Sequence, residues 1–133
     1  MKGYMLDTSI CVALFRGNRD VAHRFNTVGK THCYVNDVVV AELIVGAYKS
    51  DRTEENLKQV QEFLNEITII PFAETIQEFS KERVRLWDAG KKIDDFDLHI
   101  GCAAKAKDLI MVTHNVKHFE HIDGITIEDW VQK

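Results

Sequence analysis

A chain of 133 residues, 45% hydrophobic and 29% charged, has the size and composition of one globular domain spanning 1–133 around one continuous core. Its formal net charge of -4 excludes wholesale electrostatic capture of nucleic acid and confines any such site to a local groove. No run reaches the ~18 apolar residues of a membrane span and the N-terminus lacks a signal-peptide pattern, so a cytoplasmic protein with no membrane partner is expected.

In chain order, the first strand covers about residues 3 to 6, and Asp7-Thr8-Ser9 turns it into a helix that stops near Arg16-Gly17-Asn18. A second helix follows from Asp20 to Val28, then a strand at His32–Val35, with Asn36 or Asp37 capping an apolar helix from Val38 to Tyr48. Thr53 opens an amphipathic helix with Leu57, Val60, Phe63 and Leu64 on one face. Ile67–Phe72 reads as the third strand, stopped by the single proline, and a long helix runs from about Glu74 to Asp88. The loop 91–97 leads into a helix from Leu98 to Ala106. Leu109–Thr113 is the fourth strand, followed by a short helix through Phe119 and a last strand at Ile125–Ile127. Trp87, Trp130 and the phenylalanines sit at core-like spacings. Cys11, Cys33 and Cys102 lack C-x-x-C spacing and read as buried small hydrophobes in a reducing compartment. Strands alternating with crossovers of this length give a three-layer α/β/α sandwich on a mainly parallel sheet of four or five strands.

Four polar groups stand out against that frame. Asp7 lies at the carboxyl end of a strand, the edge where open parallel sheets bind ligands, although a helix cap would also use it. Glu42 is the single charge within an apolar helix, which requires a partner, a metal or an outward turn beside Lys49. Asp94, Asp95 and Asp97 crowd a helix start, where capping and the helix dipole account for the first two better than for Asp97. Asn115 follows the fourth strand. Carboxylates brought together on one edge repel each other unless a cation holds them, and an oxygen-only donor set suits Mg²⁺ or Mn²⁺ better than zinc. Such a site can activate water and neutralise a phosphodiester. His114, His118 and His121, spaced i, i+4, i+7, would share a face for zinc if helical, as would a merely wet face.

Several stretches in order resemble one family. Met5-Leu6-Asp7-Thr8-Ser9 resembles the opening M-L-D-T-N of PIN-domain ribonucleases of the VapC toxin type, and Ala41-Glu42-Leu43 resembles their A-E-L. Ile93–Leu98 is similar to the segment that ends in the family's third acid. Val112-Thr113-His114-Asn115 is similar to V-T-N-N or V-T-N-D, and Phe119–Ile125 and Glu128-Asp129-Trp130 to its closing motifs.

The resemblance implies a PIN-like fold and metal-dependent endonucleolytic cleavage of RNA, with Asp7, Glu42 and Asp97 holding Mg²⁺ or Mn²⁺. It also implies a toxin neutralised by a VapB-type antitoxin whose C-terminal segment crosses the groove, and a homodimer. Asp7 and Asp97 are assigned as direct ligands, with Glu42 binding through water or orienting the attacking water. Asn115, where many members carry a fourth acid, and Thr113 would position ligands or phosphate oxygens. A second metal would then fall to Glu120, Asp94 or Asp95. Thr8 supports the motif, and Ser9, where Asn is commoner, can still bond Asp7. Arg16, Lys91 and Lys92 flank the acids as RNA contacts. Two other readings remain open: phosphoryl transfer to Asp7, weakened by the missing D-x-D partner, and a non-catalytic binding module on the same fold.

Overall fold

The computed structural model describes residues 2–131, and its elements keep the alternation read from the sequence. β1 (Tyr4–Leu6) runs into α1 (Thr8–Phe15) and α2 (Arg19–Val28), and β2 (Cys33–Asn36) into α3 (Asp37–Lys49) and α4 (Thr53–Leu64). β3 (Thr68–Ile70) runs into α5 (Ile76–Asp88) and α6 (Asp95–Ala106), and β4 (Ile110–Val112) leads to β5 (Ile127–Glu128). The turn after β4 is a single 3-10 turn, Val116–His118, where a short helix was expected, and β5 starts at Ile127 instead of Ile125. α6 starts ahead of Leu98 because Asp94 caps it, accepting from the Phe96 N–H at 3.0 Å.

All strand pairs are parallel, in the order β3-β2-β1-β4-β5. The chain winds outward from β1 to β3, then crosses back to lay β4 and β5 on the other side of β1. Right-handed crossovers therefore put α1 to α4 against one face and α5 and α6 against the other. Winding reverses between β1 and β4, and at such a reversal a crevice opens outside the carboxyl ends of the strands. Asp7 and Thr113 are the first residues past those two ends.

Met5, Leu6, Val35, Met111 and Val112 are fully buried on the sheet, where Phe63 of α4 meets Phe15 of α1 edge-on at 5.2 Å between ring centroids. On the opposite face α6 buries Leu98, Ile100, Cys102, Ala103 and Ala104. At Gly101 a Cβ would stand 2.3 Å from Ile122 Cδ1, so the bare backbone lets the segment after β4 lie down on α6. The three cysteines are buried and free, and burial pushes the Cys33 and Cys102 thiols up to about 12.

Trp130 joins the core, but Trp87 and Phe96 do not, being 67% and 54% exposed. The buried arc of α5 runs through Glu82, Arg83 and Leu86, and Trp87 falls one position beyond it. Among the described residues no helix is long and apolar enough to cross a membrane.

Candidate active site

Asp7 is 4% exposed at the reversal of the sheet. Leu6 pairs with Val112, so the next step sets Asp7 beside Thr113, whose hydroxyl donates to Asp7 Oδ2 at 2.5 Å. Ser9 Oγ donates to Oδ1 at 2.6 Å, in the part the sequence suggested, and the Ile10 N–H reaches the same oxygen at 3.0 Å. Asp7 is thus both the cap of α1 and a buried acid facing the crevice. Burial raises its carboxyl above the usual range, and the bonds from Ser9, Thr113 and the Ile10 N–H offset this only in part.

Glu42 is partly buried in the second turn of α3 and does not turn out beside Lys49. Its Oε1 accepts from Thr8 Oγ1 at 2.6 Å, which ties α3 to the start of α1. The start of α3 is fixed by the fully buried Asn36, whose Oδ1 accepts from the Val39 N–H at 3.1 Å while its Nδ2 donates to the His99 carbonyl on α6 at 3.2 Å. One amide therefore sets the helices carrying Glu42 and Asp97 relative to each other.

Asp97 lies in the first turn of α6. Burial is the main cause that raises its carboxyl. The His118 ring opposes that, and the negative charges of Asp94, Glu42 and Asp7 raise it further. The acids from β1, α3 and α6 thus share one electrostatic field. Asp97 Oδ2 lies 3.1 Å from His118 Nδ1.

The other candidates separate. Asp95 turns away into an ion pair with the buried Arg83, and Asp94 is spent on the cap of α6. Glu120 is exposed, as is Asn115, whose backbone N–H donates to Thr113 Oγ1 at 2.9 Å. The i, i+4, i+7 spacing forms no metal-holding triad among the described residues, because the one helical turn there, Val116–His118, is 3-10 and not α-helical. His114 Nδ1 lies 3.1 Å from Asp129 Oδ2, His118 faces Asp97, and the His121 carbonyl accepts from Arg85 at 2.7 Å. The place of His118 beside Asp97 escaped the sequence reading, which weighed it only as one of three zinc ligands. Helical spacing carries no signal for a contact made by a 3-10 turn.

Among the described residues no three acidic, histidine or cysteine side chains stand close enough together, as they are, to hold a metal ion. In donor chemistry the cluster nevertheless fits one: Asp7, Glu42 and Asp97 offer carboxylate oxygens from three elements, and their shared negative field is what a hard divalent cation relieves.

Beside Glu42 a cleft of about 330 Å³ opens between α1, α3 and α4, walled by Val12, Phe15, Leu43, Ala47 and Val60, with Arg16 on its rim. Lys91 and Lys92 are exposed on the loop before α6.

The family model described as PIN domain matches residues 4–125. The chain belongs to the PIN-domain family. Its relatives include Ribonuclease VapC2 of Haemophilus influenzae, 34% identical over 133 residues, with 98% of this chain and 100% of the relative covered. The tRNA(fMet)-specific endonuclease VapC of Shigella flexneri is 33% identical over 98% of this chain and 99% of its own. Among solved structures, the DNA-bound VapBC from Salmonella typhimurium superposes with a TM-score of 0.90 at 30% identity, covering 98% of this chain and 99% of that one. VapBC2 from Rickettsia felis, bound to a DNA fragment from its promoter, gives 0.87 at 32%, over 96% and 98%. The PIN-like α/β/α fold expected from the motifs is therefore the fold of this chain.

Proposed function

We propose that this chain is the toxin of a type II toxin–antitoxin pair: an endoribonuclease that hydrolyses RNA phosphodiester bonds with Mg²⁺ or Mn²⁺, the whole chain acting as one cytoplasmic nuclease domain. The observation that carries the reading is the convergence of Asp7, Glu42 and Asp97 in one field at the sheet reversal, in a chain similar from end to end to VapC ribonucleases. Asp7 and Asp97 would hold the cation directly and Glu42 through water. A cation held there supplies charge neutralisation at the scissile phosphate and acidifies a bound water. Ser9 and Thr113 keep the Asp7 carboxylate in one orientation, and Thr8 does the same for Glu42. The exposed Asn115 amide is available to a phosphate oxygen, and Arg16, Lys91 and Lys92 supply the positive charge that an acidic protein needs to keep RNA in its groove. The name of the Shigella relative makes initiator tRNA the first substrate to test.

A VapB-type antitoxin is the partner this reading assigns. The apolar cleft of α1, α3 and α4, with Glu42 at one end and Arg16 on its rim, suits an antitoxin segment that blocks access to the acids. A homodimer belongs to the same reading, and Val45 and Tyr48, exposed one turn apart on α3, offer it an apolar contact.

The deciding experiment incubates antitoxin-free protein with total RNA and tRNA, in Mg²⁺ or Mn²⁺ against excess EDTA, beside folded Asp7→Asn and Asp97→Asn. The expected result is cation-dependent cutting that either substitution reduces by at least about 10²-fold, the scale set by losing a group that acts at the transition state. Intact RNA under every condition would leave a non-catalytic binding module as the function.

A further inference from the structure

We propose that His118 is itself a ligand of the divalent ion, placing one imidazole nitrogen among the carboxylate oxygens and making the site prefer Mn²⁺ to Mg²⁺. The proposal rests on the nuclease reading for the presence of a cation and assigns the donor that the three acids leave open.

The distance comes first. Two neighbouring donors on a six-coordinate ion with bonds of about 2.1–2.2 Å are separated by about 3.0–3.1 Å. His118 Nδ1 and Asp97 Oδ2 stand 3.1 Å apart, an ion-pair distance that is also the separation of two neighbouring donors on one ion. The ring is placed by a rigid frame. The His118 N–H donates to the Asn115 carbonyl at 2.9 Å, and Phe119 beside it is 1% exposed, packed against α6 where Gly101 admits it. The side chain is nevertheless 56% exposed, so the facing Asp97 carboxylate, and not packing, sets its direction. It also borders an open cleft of about 440 Å³ lined by His114, Asn115, Lys117 and Asp129, so water reaches the ring.

Competition for the place is weak. Asp95 is committed to Arg83, Asp94 to its cap, and residue 115 offers an amide instead of an acid. His114 is held toward Asp129. An imidazole in the donor set favours transition ions, because Mg²⁺ keeps to hard oxygens and its own waters.

The test titrates Mn²⁺ into the metal-free full-length chain, counts free Mn²⁺ by electron paramagnetic resonance, and examines bound Mn²⁺ by pulsed methods for nitrogen hyperfine coupling. Nitrogen coupling is expected in the wild type and in His114→Ala, and none in His118→Ala, whose Mn²⁺ affinity falls about tenfold or more. His118→Glu should restore binding without nitrogen coupling, and Mg²⁺ should then displace Mn²⁺ more readily than from the wild type. Bound Mn²⁺ without nitrogen coupling in the wild type, or coupling that survives His118→Ala, overturns the assignment and leaves the nuclease reading standing. Failure of the wild type to bind Mn²⁺ at all removes the cation from that reading, and this ligand with it.

Discussion

Burial sets Asp97 and Asp7 against their own charge, and that has a measurable side at neutral pH. The Asp97 carboxyl is raised first by burial, then by neighbouring acids, with His118 only partly offsetting them. The folded chain therefore holds this proton more tightly than the unfolded chain does. The stability it lends is fully present below the unfolded value of about 3.9 and is lost as pH rises through the higher folded value. In EDTA, Asp97→Asn should accordingly melt above the wild type at pH 7, with the gap closing as the solution is acidified toward pH 4. A variant less stable than the wild type at pH 7 would contradict this account. The cost of keeping the acid charged is the ordinary tension between a working site and a stable fold.

At the scale of elements, α5 is clasped to the segment after β4 by one carboxylate. Glu82 is 3% exposed and accepts from Arg85 Nε at 2.9 Å, Arg85 Nη2 at 2.6 Å and the Asp123 N–H at 2.8 Å. Burial alone pushes this carboxyl up, but the bonds from Arg85 and Asp123, with Lys105 at 4.0 Å, outweigh it and hold it below the usual range. Its stabilisation is thus present above the unfolded value and lost as pH falls through the lower folded one. Glu82→Gln should reduce unfolding free energy at pH 7 by about 1.5–3 kcal/mol, the range for hydrogen bonds to a charged group. Urea melts should show that deficit shrinking in acid, and a deficit constant with pH would count against the clasp. This contact was not legible in the sequence, where Glu82 is one more charge on an amphipathic helix. Arg83 likewise reads as a wet residue, yet it is 8% exposed, because Asp95 at the start of α6 meets it from twelve residues on. Periodicity identifies a helix and its apolar stripe, but charges that enter the stripe are fixed by partners from elsewhere in the chain. Asp7, by contrast, was legible because a strand end followed at once by a helix constrains both backbone and side chain, and Glu42 because a lone charge in an apolar helix demands an explanation.

For the molecule as a whole, 21 acidic residues against 17 basic ones leave little positive charge for RNA, so the contact must be narrow. If Arg16, Lys91 and Lys92 are the phosphate contacts, single-stranded RNA should bind Asp7→Asn with a slope of log K against log salt near -2, at roughly -0.7 per contact. Fluorescence anisotropy across salt checks this, and replacing one of the three by Ala should flatten the slope by about 0.7. A slope steeper than about -4 would mean that a wider surface is in use. The strand order that gathers the site was only half visible in the sequence. Alternation and crossover length give a parallel sheet, but the return past β1 that joins Asp7 to Thr113 depends on which side β4 chooses, and no single stretch records that choice.

That return also gives the protein two internal indicators. The Ile10 amide hydrogen bonds to one oxygen of Asp7, while the Thr113 hydroxyl that bonds the other oxygen receives the Asn115 amide. Whatever draws electron density from the carboxylate is therefore felt along both hydrogen-bonded paths, at the first turn of α1 and in the turn after β4. Two backbone resonances, on separate segments and wired to a single acid, would let a spectroscopist watch the site fill and empty in real time, with no dye and no RNA in the tube.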